Sequence, residues 1–259
     1  MSGTPLVPFP GFAVLQDPCV SAATPIPFVN RLIEALPDKE RNRLLERCES
    51  VELPLGAILC EPDAPYSSVY FPVAGFISLV MRVGSHRPLE MALIGDEGML
   101  GVTLALGVDL APMRAVVQGA GTALRMSAEQ FRHQLRNTPC LLRTLHRYLY
   151  VQMAQFSRTA ACTHFHEIGP RLARLLLTTH DRARADHFYL THEYLAAMLG
   201  VRRSGVTIAA GALQQRGLIH YIRGEISVLD RRGLEAASCE CYDALIADYA
   251  HMFASEGAL

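Results

Sequence analysis

Leu190-Thr191-His192-Glu193-Tyr194-Leu195-Ala196-Ala197-Met198-Leu199-Gly200-Val201-Arg202-Arg203-Ser204-Gly205-Val206-Thr207, running on through Ile208-Ala209-Ala210-Gly211-Ala212-Leu213-Gln214-Gln215-Arg216-Gly217-Leu218-Ile219, sets two helical patterns on either side of a glycine. Thr191 is placed to cap the first helix, its hydroxyl accepting from an orphan amide of the first turn. Leu195, Met198 and Leu199 recur at helical spacing and give that helix one apolar face. Gly200 stands where the helix must stop, because glycine enters a left-handed turn at least cost. Val201 then plugs the space between two helices, and Arg202-Arg203-Ser204 opens the second, with Val206, Ala209, Ala210 and Leu213 inward. Two short helices joined by a glycine turn, the second beginning with arginines, form the layout of a DNA-reading helix-turn-helix. A helical hairpin that merely packs a core is the plainer alternative. The continuation from Gln215 to Leu229 tilts the reading: a helix end, a strand, an Arg223-Gly224 turn and a return strand make the β-wing of a winged helix.

Within this unit Arg203 is expected to make a bidentate contact to guanine, whose O6 and N7 match the guanidinium fork. Ser204 and Thr207, a helical turn apart, are expected to face base edges or phosphates. Thr191 caps at the same surface. Arg202 and the wing residue Arg223 are expected on phosphates, where they position without specifying.

Composition leaves room for this. The chain has 259 residues, half of them hydrophobic, and a net charge of -1, so two modest domains with buried cores fit its length. A wholesale coating of nucleic acid by a basic protein is excluded, whereas a local basic face is not; arginines indeed concentrate between Arg171 and Arg232. No run of about 18 apolar residues predicts a membrane span, and residues 1–28 lack the basic start and apolar core of a secretory signal. Seven scattered cysteines in a chain of this size read as reduced thiols in a cytoplasm.

Residues 1–27, with six prolines, read as a flexible arm. Phe28, Leu32, Ile33 and Leu36 form a helical stripe, and Leu44, Leu45 and Cys48 a second one behind Asp38 as N-cap. From Val51 the pattern changes to short alternating segments. Val69–Val73 and Phe76–Met81 around Ala74-Gly75 read as a hairpin, Leu89–Ile94 as a strand, and Ala115–Gln118 and Thr122–Met126 as two more; many short strands argue a β-barrel or roll. A long helix begins near Thr138-Pro139. Its apolar seam, Leu142, Leu145, Leu149 and Phe156, is expected to dimerise with a second copy of itself, the alternative being that it packs only on its own β-roll. Arg231 to Met252 reads as one more helix.

Arm, β-roll, long helix and winged helix-turn-helix in this order resemble the Crp/Fnr family of bacterial transcription regulators over about residues 28–232. The resemblance implies an α+β fold: a cyclic-nucleotide-binding-like sensor domain (28–136), a dimerisation helix and hinge (137–166) and a DNA-binding domain with a C-terminal helix (167–259). It implies a homodimer on a palindromic operator in double-stranded DNA, with RNA polymerase as a further candidate partner. Gly56 and Gly75 fall where the family's roll has turn glycines. Members that bind cyclic AMP carry a Gly-Glu-Leu motif followed by Arg-Ser/Thr-Ala, the glutamate holding the ribose hydroxyl and the arginine the phosphate. Here the stretch is Gly95-Asp96-Glu97-Gly98-Met99-Leu100-Gly101-Val102-Thr103, with Val102 at the glutamate's position and Ala111 or Pro112 near the arginine's. A buried cyclic phosphate without its arginine is an unpaired charge, so the effector is expected to be something other than cyclic AMP. Glu97 and Arg114 are the candidate effector residues, the alternative being solvated loop charges. The family's oxygen sensors ligate an iron–sulfur cluster through clustered N-terminal cysteines; here the arm holds Cys19 alone. The family's glutamate after the recognition arginine is replaced by Ser204, which implies a different operator.

No cofactor is expected. Cys162, His164 and His166 make an incomplete zinc set whose remainder would have to come from His146, His180 or the other protomer, and hinge packing is the plainer reading. Cys239-Glu240-Cys241 has the composition of a redox pair, but on a helix the two side chains diverge by roughly 200°. With no nucleotide loop, His-Glu-x-x-His or nucleophile elbow, no catalytic activity is expected. The competing function is a ligand-binding or scaffold protein whose winged helix serves protein contacts, which an absence of duplex binding at low salt would favour.

Overall fold

The computed structural model describes residues 30–86 and 88–254; the arm with Cys19, and Phe28 of the first stripe, lie outside them. The fold is α+β. Two short helices, α1 (Arg31–Glu34) and α2 (Asp38–Leu45), precede the strands β1 (Glu49–Leu53), β2 (Ile58–Cys60), β3 (Ser68–Met81), β4 (Leu89–Ile94) and β5 (Arg114–Ser127). The strands form an antiparallel sheet in the order β1-β5-β3-β4, with β2 also on β5. Helices α3 (Ala128–Asn137) and α4 (Pro139–Phe165) follow, then α5 (Ile168–Ala183), β6 (His187–Tyr189), α6 (His192–Leu199), α7 (Arg203–Gln215), β7 (Ile219–Ile222), β8 (Glu225–Val228), α8 (Arg231–Ala237) and α9 (Cys241–Phe253). A three-stranded sheet β6-β8-β7 accompanies these last helices.

Three local expectations need correction. The hairpin expected at Ala74-Gly75 is one continuous strand, β3, and the two segments expected over 115–126 are one strand, β5, paired with it along most of its length with shifts at Pro72, Ala74 and Phe76. Glycine here permits close backbone approach rather than a chain reversal: a Cβ on Gly75 (φ +73°) would lie 2.3 Å from the Gly119 carbonyl oxygen, and one on Gly121 2.2 Å from that of Ala74. The result is two long strands bent through bulges, which is how a sheet curls into a roll. Asp38 is not an N-cap but the first residue of α2, after Pro37, where it pairs with Arg41 at 2.7 Å. The helix expected over 231–252 is two helices, because Ser238 takes an extended conformation (ψ 165°) and donates its hydroxyl to the Glu235 carbonyl at 2.8 Å.

Helix α4 runs for 27 residues, about 40 Å at 1.5 Å per residue. Its inner face packs on the roll: Leu141, Leu145, Tyr148 and Val151 share a core with Val69, Phe71, Met99, Met126 and Phe131. Each such side chain taken from water contributes roughly 1.5–3 kcal/mol. A second core crosses from the roll into the C-terminal helices, joining Phe76 and Leu93 to Leu172, Leu176, Tyr194, Leu195 and Leu199. The junction is also ionic. Arg182 of α5 meets Glu97 at 2.6 Å, both side chains 7% exposed, and Arg184 pairs with Asp96. From the other side, Gln155 of α4 donates to the Tyr249 hydroxyl at 2.7 Å and Arg158 pairs with Asp248 of α9.

Candidate nucleic-acid interface

The Thr191 hydroxyl accepts from the Tyr194 amide at 3.2 Å and so starts α6. Gly200 (φ +65°) ends it: its own amide donates to Ala197, at 3.1 Å, and the Val201 amide to Ala196, at 2.9 Å. That pair of bonds is the Schellman closure, which needs a left-handed residue at its centre. The half-buried Val201 packs against the core below. Helix α7 therefore leaves at a fixed angle, with Val206, Ala209, Ala210 and Leu213 buried.

The opposite face of α7 is open. Arg202, Arg203, Ser204 and Thr207 are all exposed. Thr207 is not a free hydroxyl: it donates to the Arg203 carbonyl at 3.1 Å and lies 3.0 Å from His192 Nδ1. Having spent its proton, Thr207 accepts from that ring nitrogen, which places the histidine proton on Nδ1. His192 in turn stacks on Tyr221 of β7, ring centroids 4.3 Å apart. Burial, and then the neighbouring Arg203 charge, hold this imidazole below its ordinary pKa. Burial likewise raises the Tyr221 phenol. The far end of α7 is tied to the wing by Gln214, whose Oε1 accepts from the Tyr221 amide at 2.8 Å. Arg223 (φ +52°) and Gly224 (φ +98°) form the two-residue turn between the paired Ile222 and Glu225; positive φ at both centres is the hairpin geometry that matches strand twist. Arg223 thereby projects, exposed, from the wing tip.

Sequence reasoning missed Ile208, which is 75% exposed on the same α7 face as Ser204 and Thr207. The signal was present: with 206, 209, 210 and 213 inward, an isoleucine at 208 must point out.

The residues assigned to an effector are not assembled into a site. Glu97 is consumed by Arg182 and by the Gly95 amide at 3.2 Å. Arg114 pairs with Glu61 at 2.8 Å on the roll's exterior. A cavity of about 550 Å³ lies elsewhere, between the roll and α4; Tyr66, Leu100, Thr103, Met113, Leu149 and Phe156 are among the residues that line it. Neither Glu97 nor Arg114 lines it, nor, among the described residues, does any arginine or lysine. Of the seam residues, Leu145 is wholly buried against the roll and has no surface left for a partner, since helical periodicity places it with Leu141 and Tyr148. Leu142, Leu149 and Phe156 are half-buried, and Tyr150 and Met153 stand 70% and 66% exposed beside them.

Residues 170–237 match the family model of the Crp-like helix-turn-helix domain. The whole fold is similar to solved structures: FixK2 from Bradyrhizobium japonicum (15% identity, 74% of this chain and 98% of that chain, TM-score 0.63) and the c-di-GMP responsive global regulator CLP of Xanthomonas campestris (17%, 74% and 99%, TM-score 0.62). A Crp/Fnr-family transcriptional regulator of Thermus thermophilus is similar at 21% identity over 75% of this chain and 98% of that chain, TM-score 0.57. The roll, long helix and Crp-like domain thus occur together in the Crp/Fnr fold. No curated protein matches the chain in sequence. No helix among the described residues is long and apolar enough to cross a membrane.

Proposed function

We propose that the chain is a sequence-specific transcription regulator, without catalytic activity, that binds double-stranded DNA in the cytoplasm as a homodimer through α7 and the wing. The observation that carries the reading is the open α7 face: Arg203, Ser204, Thr207 and Ile208 exposed together on a helix whose exit angle the Gly200 closure fixes. Arg203 reads guanine, the Ile208 side chain packs on a thymine methyl, and Arg202 and Arg223 hold phosphates. Two copies place their α7 helices about 34 Å apart on a palindrome. The half-buried line of Leu142, Leu149 and Phe156, extended by Tyr150 and Met153, is the dimer seam. Division at 136 and 166 into sensor, dimerisation helix and DNA-binding domain follows from this.

Leu149 and Phe156 also line the roll cavity, so an occupant there touches the same residues that meet the partner. The largely apolar lining, with His146 and Gln152 among its polar members but no lysine or arginine among the described residues, suits an uncharged effector and disfavours cyclic AMP, whose phosphate would lack its arginine. Selection from a random duplex library with the full-length protein, with and without cyclic nucleotides, tests the reading. A palindromic motif recovered without additive is expected. A motif recovered only with a cyclic nucleotide overturns the effector reading, and no motif under either condition overturns the DNA reading.

A further inference from the structure

Cys162, in the last turn of α4, and His166, which caps it, lie one helical turn apart. The break between α8 and α9 brings Cys239 and Cys241 against them, so that the three sulfurs and a histidine nitrogen all lie within 4.8 Å of one another. The Cys162 and Cys239 sulfurs are 3.6 Å apart, and the Cys241 sulfur is 3.7 Å from His166 Nδ1. The expected divergence of Cys239 from Cys241 does not arise, because Cys239 lies in the break between α8 and α9 rather than within a helix. His164 takes no part; its ring instead meets Phe165 edge-on at 4.6 Å.

We propose that Cys162, His166, Cys239 and Cys241 form a structural zinc site. Tetrahedral zinc, with Zn–S near 2.3 Å and Zn–N near 2.0–2.1 Å, sets sulfur–sulfur edges at roughly 3.8 Å and sulfur–nitrogen edges at roughly 3.6 Å. The two distances above match those edges. A disulfide between Cys162 and Cys239 would need their sulfurs at about 2.05 Å. A [4Fe–4S] cluster puts each ligand on its own iron and a [2Fe–2S] cluster puts two on each of two irons, so either spreads its four ligands wider than the 4.8 Å within which all four lie here. Three thiolates and an imidazole are a soft, closed donor set that suits zinc rather than calcium or magnesium.

The surroundings also fit. The three thiols are at most 9% exposed and form a cluster separate from the apolar cores. His166 turns its other nitrogen, Nε2, to the Glu240 carboxylate at 3.0 Å, which holds the ring with Nδ1 toward the thiols, as a carboxylate behind a ligating histidine does. Three thiolates and a neutral imidazole around the dication leave a site of net charge minus one. Arg174 of α5, which lines a cavity with Cys241, puts a positive charge beside the cluster and so offsets that charge. That cavity, of about 50 Å³, lies between α4, α5, α9 and β4. The ion would fasten the end of α4 to the α8–α9 corner, bracketing the whole helix-turn-helix and wing. It thereby fixes the direction in which the DNA-reading unit leaves the long helix.

The test uses the full chain, purified without chelators, and does not depend on DNA binding. Elemental analysis should give one zinc per chain, and Zn-edge X-ray absorption three sulfurs and one nitrogen. Cobalt exchanged into the wild-type protein should show tetrahedral d–d absorption and thiolate charge transfer, a readout that needs no substitution to fold. Glu240→Gln should keep the stoichiometry and weaken zinc binding by about 10–100-fold. Zinc retained in full by a Cys239→Ser/Cys241→Ser double variant overturns the assignment. So does wild-type protein that holds no zinc and gives no tetrahedral cobalt spectrum, a Cys162–Cys239 disulfide in peptide mapping, or iron and sulfide in place of zinc.

Discussion

Replacing Glu97 with alanine should remove a large fraction of the stability that couples the roll to the C-terminal helices. Its carboxylate is 2.6 Å from the Arg182 guanidinium, and each side chain is 7% exposed. Without Glu97, Arg182 keeps its charge in a site that water barely reaches, and truncating one partner of such a pair costs about 3–5 kcal/mol. The Gly95 amide loses its acceptor as well, which belongs to the same loss. Against a total stability of about 5–15 kcal/mol this is about a fifth or more. For a chain of this size it should lower the melting temperature by roughly 6–20 °C, at 2–4 °C per kcal/mol. The double variant Glu97→Ala/Arg182→Met removes both charges and should recover most of the loss, because an ion pair replaced whole by apolar groups is close to neutral. Urea titrations of wild type, both single variants and the double, at one protein concentration, give the coupling energy directly. Additive effects, or a Glu97→Ala cost below about 1 kcal/mol of the kind an exposed pair shows, would refute the argument that this junction is a buried charge lock.

Arg203→Ala should weaken operator binding by about 1–3 kcal/mol and relax base preference at one position per half-site; an unchanged selected motif would show that another residue reads that base. Leu149→Glu with Phe156→Glu should give monomers in sedimentation velocity while the far-UV spectrum stays native, whereas Leu145→Glu, aimed into the roll's core, should unfold the chain; a dimeric double variant would move the seam elsewhere. Glu90, held by the Ser78 hydroxyl at 2.7 Å, has its carboxyl pushed by burial from 4.5 up to about 7, against the opposing pull of Ser78, Arg174 and Arg182. The folded chain therefore keeps a proton that the unfolded chain has lost, so stability should fall as pH rises from 4.5 to about 7 and level off above. Glu90→Gln should flatten that slope in urea midpoints, and equal slopes in the two proteins would remove Glu90 as the cause.

The recognition unit was legible in the sequence because its determinants are local. A capping hydroxyl at Thr191, a left-handed glycine at 200, an inward stripe from Val206 to Leu213 and a two-residue turn at 223–224 each act within a few residues of themselves, and each is where its local chemistry requires. The exposed Ile208 was legible by subtraction from the same stripe. The roll was legible as a class from its alternating segments, yet Gly75, Gly119 and Gly121 were indistinguishable from turn residues. The demand they meet comes from a strand some forty residues away, and nothing in their own neighbourhood states it.

What the sequence by itself determined is therefore the order of roll, long helix and winged helix-turn-helix, the α+β class and the open face of α7. Tertiary structure decided which face of α4 is spent on the roll, and so why Leu145 is unusable as a seam residue while Leu149 and Phe156 are not; both faces are apolar, and only the position of the sheet separates them. It decided that Glu97 answers Arg182 across 85 residues of chain rather than facing the cavity. It also decided that Cys239 and Cys241 converge on Cys162 and His166. That convergence hangs on a three-residue break between two helices, a backbone choice worth too little locally to be read from composition, and fixed only by the packing of α9 along α4.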